Sequence, residues 1–150
     1  MNHKNVIKEY AELQYSTPSF LIDRMNLWSY GSNPVPLQKW IFSKLQLQGN
    51  EQILELGGGT GQLWLENHHQ IPPTCSITLS DFSQEMVKSA KENLKSLNLP
   101  MKFEIIDAET IPYGDETFDL VLGCHMLYYV PNIRRALDSI SRVLKSGGFL

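Results

Sequence analysis

The run Ile53-Leu54-Glu55-Leu56-Gly57-Gly58-Gly59-Thr60-Gly61 places alternate glycines directly after a short apolar segment. Without side chains, Gly57, Gly59 and Gly61 allow a tight turn and let a ligand approach the backbone. A helix opening just beyond would aim its unpaired N–H groups at polar atoms of that ligand. The common phosphate loops do not fit. The dinucleotide fingerprint, Gly-x-Gly-x-x-Gly, needs a third glycine where this chain has Gln62, counting from Gly57, or Trp64, counting from Gly59. The NTPase loop needs Lys and Ser/Thr after its last glycine, and here Gln62 and Leu63 follow Gly61. The pattern suits a nucleoside-like ligand that lacks a pyrophosphate.

Two carboxylates complete such a site. Asp81 lies 20 residues after Gly61, at the end of the β-prone run Ser76-Ile77-Thr78-Leu79-Ser80-Asp81. A carboxylate there can accept hydrogen bonds from both hydroxyls of a ribose. Asp107 ends the run Lys102-Phe103-Glu104-Ile105-Ile106-Asp107 and can accept from an exocyclic amine such as that of adenine. The plain alternatives are an exposed loop acid at 81 and a turn or cap acid at 107. His125 follows a fourth β-prone run, and histidine is the side-chain type best suited to proton transfer near neutral pH, which makes it the candidate general base. The competing role for His125 is packing at a helix start. His3, His68 and His69 offer less, and no Cys/His spacing suggests a metal site.

The elements that must position these residues alternate in type. Short apolar runs at 52–56, 76–81, 102–107 and 118–123 read as strands. Between them lie helical stripes. Pro36 opens one containing Leu37, Trp40, Ile41 and Leu45, and Gly49 ends it. Another begins near Gly61 and runs toward His68. Ser83 caps a third, with Met86, Val87, Ala90, Leu94 and Leu97 on one face. Asn132 caps a fourth with Ile133, Ala136, Leu137, Ile140, Val143 and Leu144, with Lys145 in its last turn and Gly147-Gly148 as its stop. Phe149-Leu150 then starts a fifth strand. Such alternation implies an α/β fold with right-handed crossovers on a parallel sheet. Ligands of such sheets bind beyond the strands' carboxyl ends, where Gly57, Asp81, Asp107 and His125 all fall.

Residues 1–35 are less periodic. Val6, Tyr10, Ala11 and Leu13 suggest a short first helix, and Tyr15, Trp28, Tyr30 and Trp40 concentrate aromatic surface around residues 15 to 40. We expect residues 1–35 to form a helical cap over a ligand-binding domain at 36–150.

Composition supports one domain of 150 residues with 42% hydrophobic and 19% charged residues. A net charge of −3 lacks the basic footprint of a nucleic-acid binder. The first residues carry no apolar run of a signal peptide, and no apolar stretch is long enough to span a bilayer. Cys75 and Cys124 do not make a disulfide framework. Together these point to a cytoplasmic protein.

The ordered segments resemble a class I S-adenosylmethionine-dependent methyltransferase of the UbiE-like, type 11 kind. The matching pieces are Leu54 to Gly61, Leu79 to Met86, Asp107 to Tyr113, Phe118 to Val121 and Arg142 to Gly148, in that order. The resemblance implies a Rossmann-like sheet with helices on both faces and S-adenosyl-L-methionine as cofactor. It implies that Gly57, Gly58 and Gly59 pass beneath the methionine part and that Glu55 anchors this loop and reaches the amino group through water. Asp81 would hold the ribose, and Phe82 would lie against the adenine. Asp107 and the Ala108 backbone would meet the adenine amine. Cys124 and His125 would stand near the methyl group. The chain departs from the family in Ser146, where proline usually precedes Gly-Gly. It also stops at Leu150, so the C-terminal strands of the family sheet are missing.

The segment Gly123-Cys124-His125-Met126 does not resemble the Asp/Asn-Pro-Pro-Tyr/Phe of enzymes that methylate amino groups of nucleic acid and glutamine. A small-molecule acceptor is therefore expected, with Leu127-Tyr128-Tyr129-Val130 lining its pocket, and no nucleic-acid or membrane partner. The fifth strand would leave an open sheet edge through which two chains could pair as a homodimer. Two other readings stand beside methyl transfer: a cofactor-binding module that is non-catalytic or needs a partner chain, and an NAD-dependent oxidoreductase.

Overall fold

A computed structural model describes residues 30–150 continuously, together with residues 6, 9, 10, 13, 14, 19, 21, 23 and 26. Helix α1 covers Leu37–Leu45, followed by β1 (Gln52–Leu56), α2 (Gln62–Asn67), β2 (Ser76–Asp81), α3 (Gln84–Leu94), β3 (Met101–Ile105), β4 (Phe118–Leu122), α4 (Ile133–Val143) and β5 (Leu144–Phe149). Short 3-10 turns at His68–Gln70 and Leu127–Tyr129 link α2 to β2 and β4 to α4. The strands form one parallel sheet in the order β3-β2-β1-β4-β5. The chain winds outward from β1 through β2 to β3, then crosses back to place β4 on the other side of β1. That reversal is a topological switch point, where such sheets bind ligands.

The central strands are buried on both faces because helices cover both, β2 turning Ile77 and Leu79 to one side and the buried polar Thr78 and Ser80 to the other. Ile53, Ile77, Leu79 and Leu122 pack beneath Phe42, Trp64, Ala90 and Leu94 of α1, α2 and α3. Leu54, Leu56 and Val121 face Ala136, Ile140 and Val143 of α4. Burying each such side chain stabilises the fold by about 1.5–3 kcal/mol. The caps read from the sequence form: Ser83 Oγ accepts from Met86 N at 3.4 Å and Asn132 Oδ1 from Arg135 N at 3.2 Å.

The structure corrects the expected boundaries at several places. Pro36 stands just before α1, which ends at Leu45, and Gln46 takes the left-handed cap (φ 48°) rather than Gly49. β3 starts at Met101 and ends at Ile105, leaving Asp107 in the loop beyond. The largest correction is at the end of α4. The helix stops at Val143, and Leu144, Lys145, Gly147 and Gly148 belong to β5 instead of a helical last turn and stop. Sheet pairing overrides the local glycine signal here. Lys145 Nζ reaches both Asp119 oxygens at 2.8 and 2.9 Å, and Leu144 pairs with Phe118. Gly147 sits at φ +80°, and a Cβ on Gly148 would come within 3.0 Å of the Asp119 and Lys145 carbonyl oxygens. Of the expected α4 stripe, Ile133 and Leu137 are exposed. Val6, Tyr10 and Leu13 are helical but also exposed, while Ala11, Tyr15 and Trp28 lie outside the described residues.

Candidate functional site

Beyond the carboxyl ends of β1, β2, β3 and β4 lies a cavity of about 870 Å³. Glu55, Gly57, Gly58, Gly59, Asp81, Phe82, Asp107, Ala108, Cys124 and His125 all line it. Four separate chain segments thus bring the sequence-derived candidates to one wall.

The glycine loop forms the floor. Gly57, Gly59 and Gly61 have φ of 69°, 56° and 80°, the left-handed region that side chains disfavour. An added Cβ on Gly57 would stand 2.6 Å from Met126 Cβ, and one on Gly61 2.6 Å from Leu94 Cδ1. The loop is fastened to β2 by Gly58 N donating to Ser80 O at 2.9 Å. Glu55 lies beneath it, 4% exposed, with Oε2 accepting from Trp64 Nε1 at 2.7 Å. Burial, opposed by the Trp64 hydrogen bond and aided by nearby Asp81, raises the Glu55 carboxyl from 4.5 to about 7.

Asp81 is held by backbone donors. Oδ2 accepts from Gly59 N at 3.0 Å and Oδ1 from Ser83 N at 2.8 Å. Burial raises its pKa, and the backbone bonds to Ser83, Gly59 and Phe82 work against that rise. Each carboxylate oxygen can accept a second hydrogen bond, so both remain available to a diol. Asp107 closes an Asx turn, Oδ1 accepting from Glu109 N at 3.0 Å, which aims the carboxylate from the loop after β3. Phe82 is 37% exposed and the Ala108 backbone is buried beside the cavity.

After β4, Cys124 is half-buried, and burial followed by Glu55 pushes its thiol up. His125 has φ +57°, an unusual conformation for a side-chain-bearing residue, and projects from the exposed loop into the cavity lining. The opposite wall comes from the segment before β1: Leu21, Asn33, Pro34, Val35, Trp40 and Ile41. Leu21 stands over Gly59, its Cδ2 2.9 Å from where a Cβ would be. Tyr129 donates from its hydroxyl to Gln14 Oε1 at 2.7 Å, tying the 3-10 turn after β4 to the N-terminal segment.

Sequence reasoning passed over Trp64, Met126 and Leu21. Trp64 had marked only a failed glycine fingerprint; in the fold it is fully buried, edge-on to Phe42 at 6.4 Å, and supplies the donor that holds Glu55. Its place in the first turns of a helix behind the glycine loop was the available signal. Among the described residues no group of His, Cys, Asp and Glu could hold a metal, and no helix is long and apolar enough to cross a membrane.

A nucleoside-carrying cofactor fits these donors and acceptors: a side-chain-free floor, one acid placed for a diol and one for an amine. Residues 53–148 match the family described as Methyltransferase domain. The chain belongs to that family, and its fold is the Rossmann-like class I methyltransferase fold, whose cofactor is S-adenosylmethionine. It is 33% identical over 116 residues to the ubiquinone/menaquinone biosynthesis C-methyltransferase UbiE of Pseudomonas fluorescens, covering 74% of this chain and 45% of that protein. The chain thus spans about half the length of the curated relatives it matches. Among solved structures, the [4+2]-cyclase SpnF superposes with a TM-score of 0.77 at 24% identity, covering 94% of this chain and 58% of that one. A SAM-dependent methyltransferase from Aquifex aeolicus gives 0.65 at 19% identity, over 82% and 66% of the two chains.

Proposed function

We propose that this chain binds S-adenosylmethionine in the cavity above β1, β2, β3 and β4 and passes its methyl group to a small-molecule acceptor. The observation that carries this reading is the convergence of Glu55, Asp81 and Asp107 from three successive strand ends around the glycine floor. Gly57, Gly58 and Gly59 make room for the methionine part, Asp81 takes the ribose hydroxyls, and Asp107 with the Ala108 backbone takes the adenine amine, Phe82 lying against the ring. When bound, the cofactor supplies an activated methyl on a sulfonium, which leaves as a neutral thioether, so the protein's work is alignment and exclusion of water. Alignment alone is worth about 7–11 kcal/mol of barrier. His125 is placed to take a proton from the acceptor, with Cys124 beside it.

Tyr128, Tyr129, Val35 and Pro34 give the cavity an apolar side, which favours an uncharged, ring-bearing acceptor. Relatives are named for ubiquinone and menaquinone biosynthesis, which is in keeping with this wall. Residues 1–35 act as the cap of the 36–150 domain, as Leu21 over Gly59 and Gln14 on Tyr129 suggest. The reaction belongs in the cytoplasm, in keeping with free Cys75 and Cys124.

Titration calorimetry with S-adenosylmethionine, S-adenosylhomocysteine and NAD tests the reading. We expect the first two to bind and NAD not to; binding of NAD alone would overturn it in favour of an oxidoreductase. Binding of S-adenosylmethionine without transfer to any of a panel of phenols, quinols and carbon acids would favour a non-catalytic or partner-dependent binding module.

A further inference from the structure

Glu55 is a buried acid with a polar site in front of it and, among the described residues, no cation beside it. Trp64 Nε1 is its hydrogen-bond partner among the described residues, at 2.7 Å, and no ion pair includes it. Its carboxyl sits directly under the glycine loop, where a Cβ on Gly58 would stand 2.7 Å from Oε2, and it lines the cavity. The described groups around it are acidic or neutral. Asp81 faces it from the end of β2, Cys124 from the end of β4, and α2 offers only the indole of Trp64. Farther round the cavity wall are Asp107, His125 and Glu66. A buried carboxylate without a counter-charge pays a desolvation cost of several kcal/mol and holds its proton instead.

The ligand assigned above changes this balance, and the inference rests on that assignment. S-adenosylmethionine brings an ammonium and a sulfonium on the part that passes over Gly57 and Gly58. An incoming cation supplies the counter-charge that the fold withholds. We propose that Glu55 gives up its proton when the cationic end of the cofactor arrives, so that cofactor binding and proton release are one coupled event. The O–H bond of the carboxyl breaks, the proton passes to solvent, and the carboxylate left behind faces the cation.

The neighbouring acids do not supply this proton as readily. Burial raises Asp81 as well, but both its oxygens are engaged by backbone N–H groups that work against that rise, and the ligand atoms it meets are neutral hydroxyls. Cys124 is pushed upward by burial and by Glu55, away from the neutral range. Glu55, raised to about 7, is mostly protonated at pH 6 and mostly ionised at pH 8.5.

The coupling also shapes selectivity. A neutral nucleoside occupying the same cavity gains nothing from Glu55 and triggers no release. The positive end of the cofactor is thus read by charge, while Asp81 and Asp107 read its nucleoside end by hydrogen bonds. Below about pH 7 the affinity for the cationic cofactor should climb about tenfold per pH unit, the slope for one proton released per molecule bound.

Calorimetry of the full chain at about pH 6, repeated in buffers of different ionisation enthalpy, counts the protons directly. We expect S-adenosylmethionine to release close to one proton at pH 6 and almost none at pH 8.5. The uncharged 5′-methylthioadenosine should release none. Glu55→Gln, which keeps an oxygen for Trp64 Nε1, should still bind S-adenosylmethionine but lose the release and the pH slope. Binding of S-adenosylmethionine to the wild-type chain with no buffer dependence at pH 6 would overturn the inference and leave the cofactor assignment standing. Undiminished release in Glu55→Gln would overturn it too, pointing to Asp81. No binding of S-adenosylmethionine at any pH would overturn the cofactor assignment and the inference together. Because the wild-type count decides the matter, a variant that fails to fold does not rescue the idea.

Discussion

Glu55 shows how one residue can link stability to ligand binding. Its carboxyl is favoured as the neutral acid in the fold, raised from 4.5 to about 7 by burial first. Stability from this group is therefore full below about pH 4.5, declines as pH rises toward 7, and is lost above it. At about 1.4 kcal/mol per pKa unit, the ligand-free chain should lose about 3 kcal/mol from this group between those limits. Urea unfolding at a series of pH values checks it: Glu55→Gln should flatten the profile, and a wild-type stability that climbs from pH 5 to 8 would contradict it. His125 poses a different question at the same scale. If it serves as a base, His125→Ala should lower turnover about 100-fold or more while leaving the dissociation constant for S-adenosylmethionine nearly unchanged. Equal losses in both would assign it to holding the loop after β4.

At the scale of an element, the β1–α2 loop depends on the absence of side chains. Gly57 combines φ +69° with a virtual Cβ 2.6 Å from Met126 Cβ, so the backbone preference and the space both exclude a side chain. Gly57→Ala should destabilise the chain by about 1–2 kcal/mol from the left-handed conformation alone. Because Met126 sits in the loop that also carries Cys124 and His125, its displacement should weaken cofactor binding at least tenfold. Thermal melts and calorimetry on the same sample separate the two effects. A variant with wild-type affinity would show that the loop after β4 adapts freely. β5 makes the complementary point. Its Gly147-Gly148 reads locally as a helix stop, yet Asp119 and Lys145 draw the segment into the sheet. Asp119 Oδ2 also accepts from Gln52 N at 2.8 Å, so one carboxylate fastens β1, β4 and β5 at their starts.

For the whole molecule, two surfaces can be tested in solution. One is the β5 side of the sheet, where Phe149 and Leu150 are 74% and 67% exposed. Unpaired strand edges with apolar side chains promote association. We expect the 150-residue chain to self-associate through this edge, with light scattering giving a mass above the 17.1 kDa of one chain. A stable monomer at high concentration would contradict it. The other is the contact of the N-terminal segment with the cavity through Leu21 and Gln14. If residues 1–35 close over the cofactor, adding S-adenosylmethionine should slow proteolytic cleavage within them several-fold. Unchanged cleavage would make this contact simple edge packing.

The sequence by itself determined the order of strands and helices and the placement of the glycine loop, Asp81, Asp107 and His125 just past strand ends. It could do so because strand length, helical period and caps are local properties, and because residues at strand carboxyl ends share one rim whatever the exact sheet order. Only the tertiary structure decided the rest. Trp64 gained its role from lying within reach of Glu55, a contact set by how α2 crosses the sheet. The abnormal acidity of Glu55 came from burial by neighbours distant in the chain. Gly147 and Gly148 became strand because the pairs Phe118–Leu144 and Leu120–Phe149 on either side of them outweighed their own preference. Local rules placed the glycines under a ligand; the packing around them gave the acid beneath those glycines its charge state.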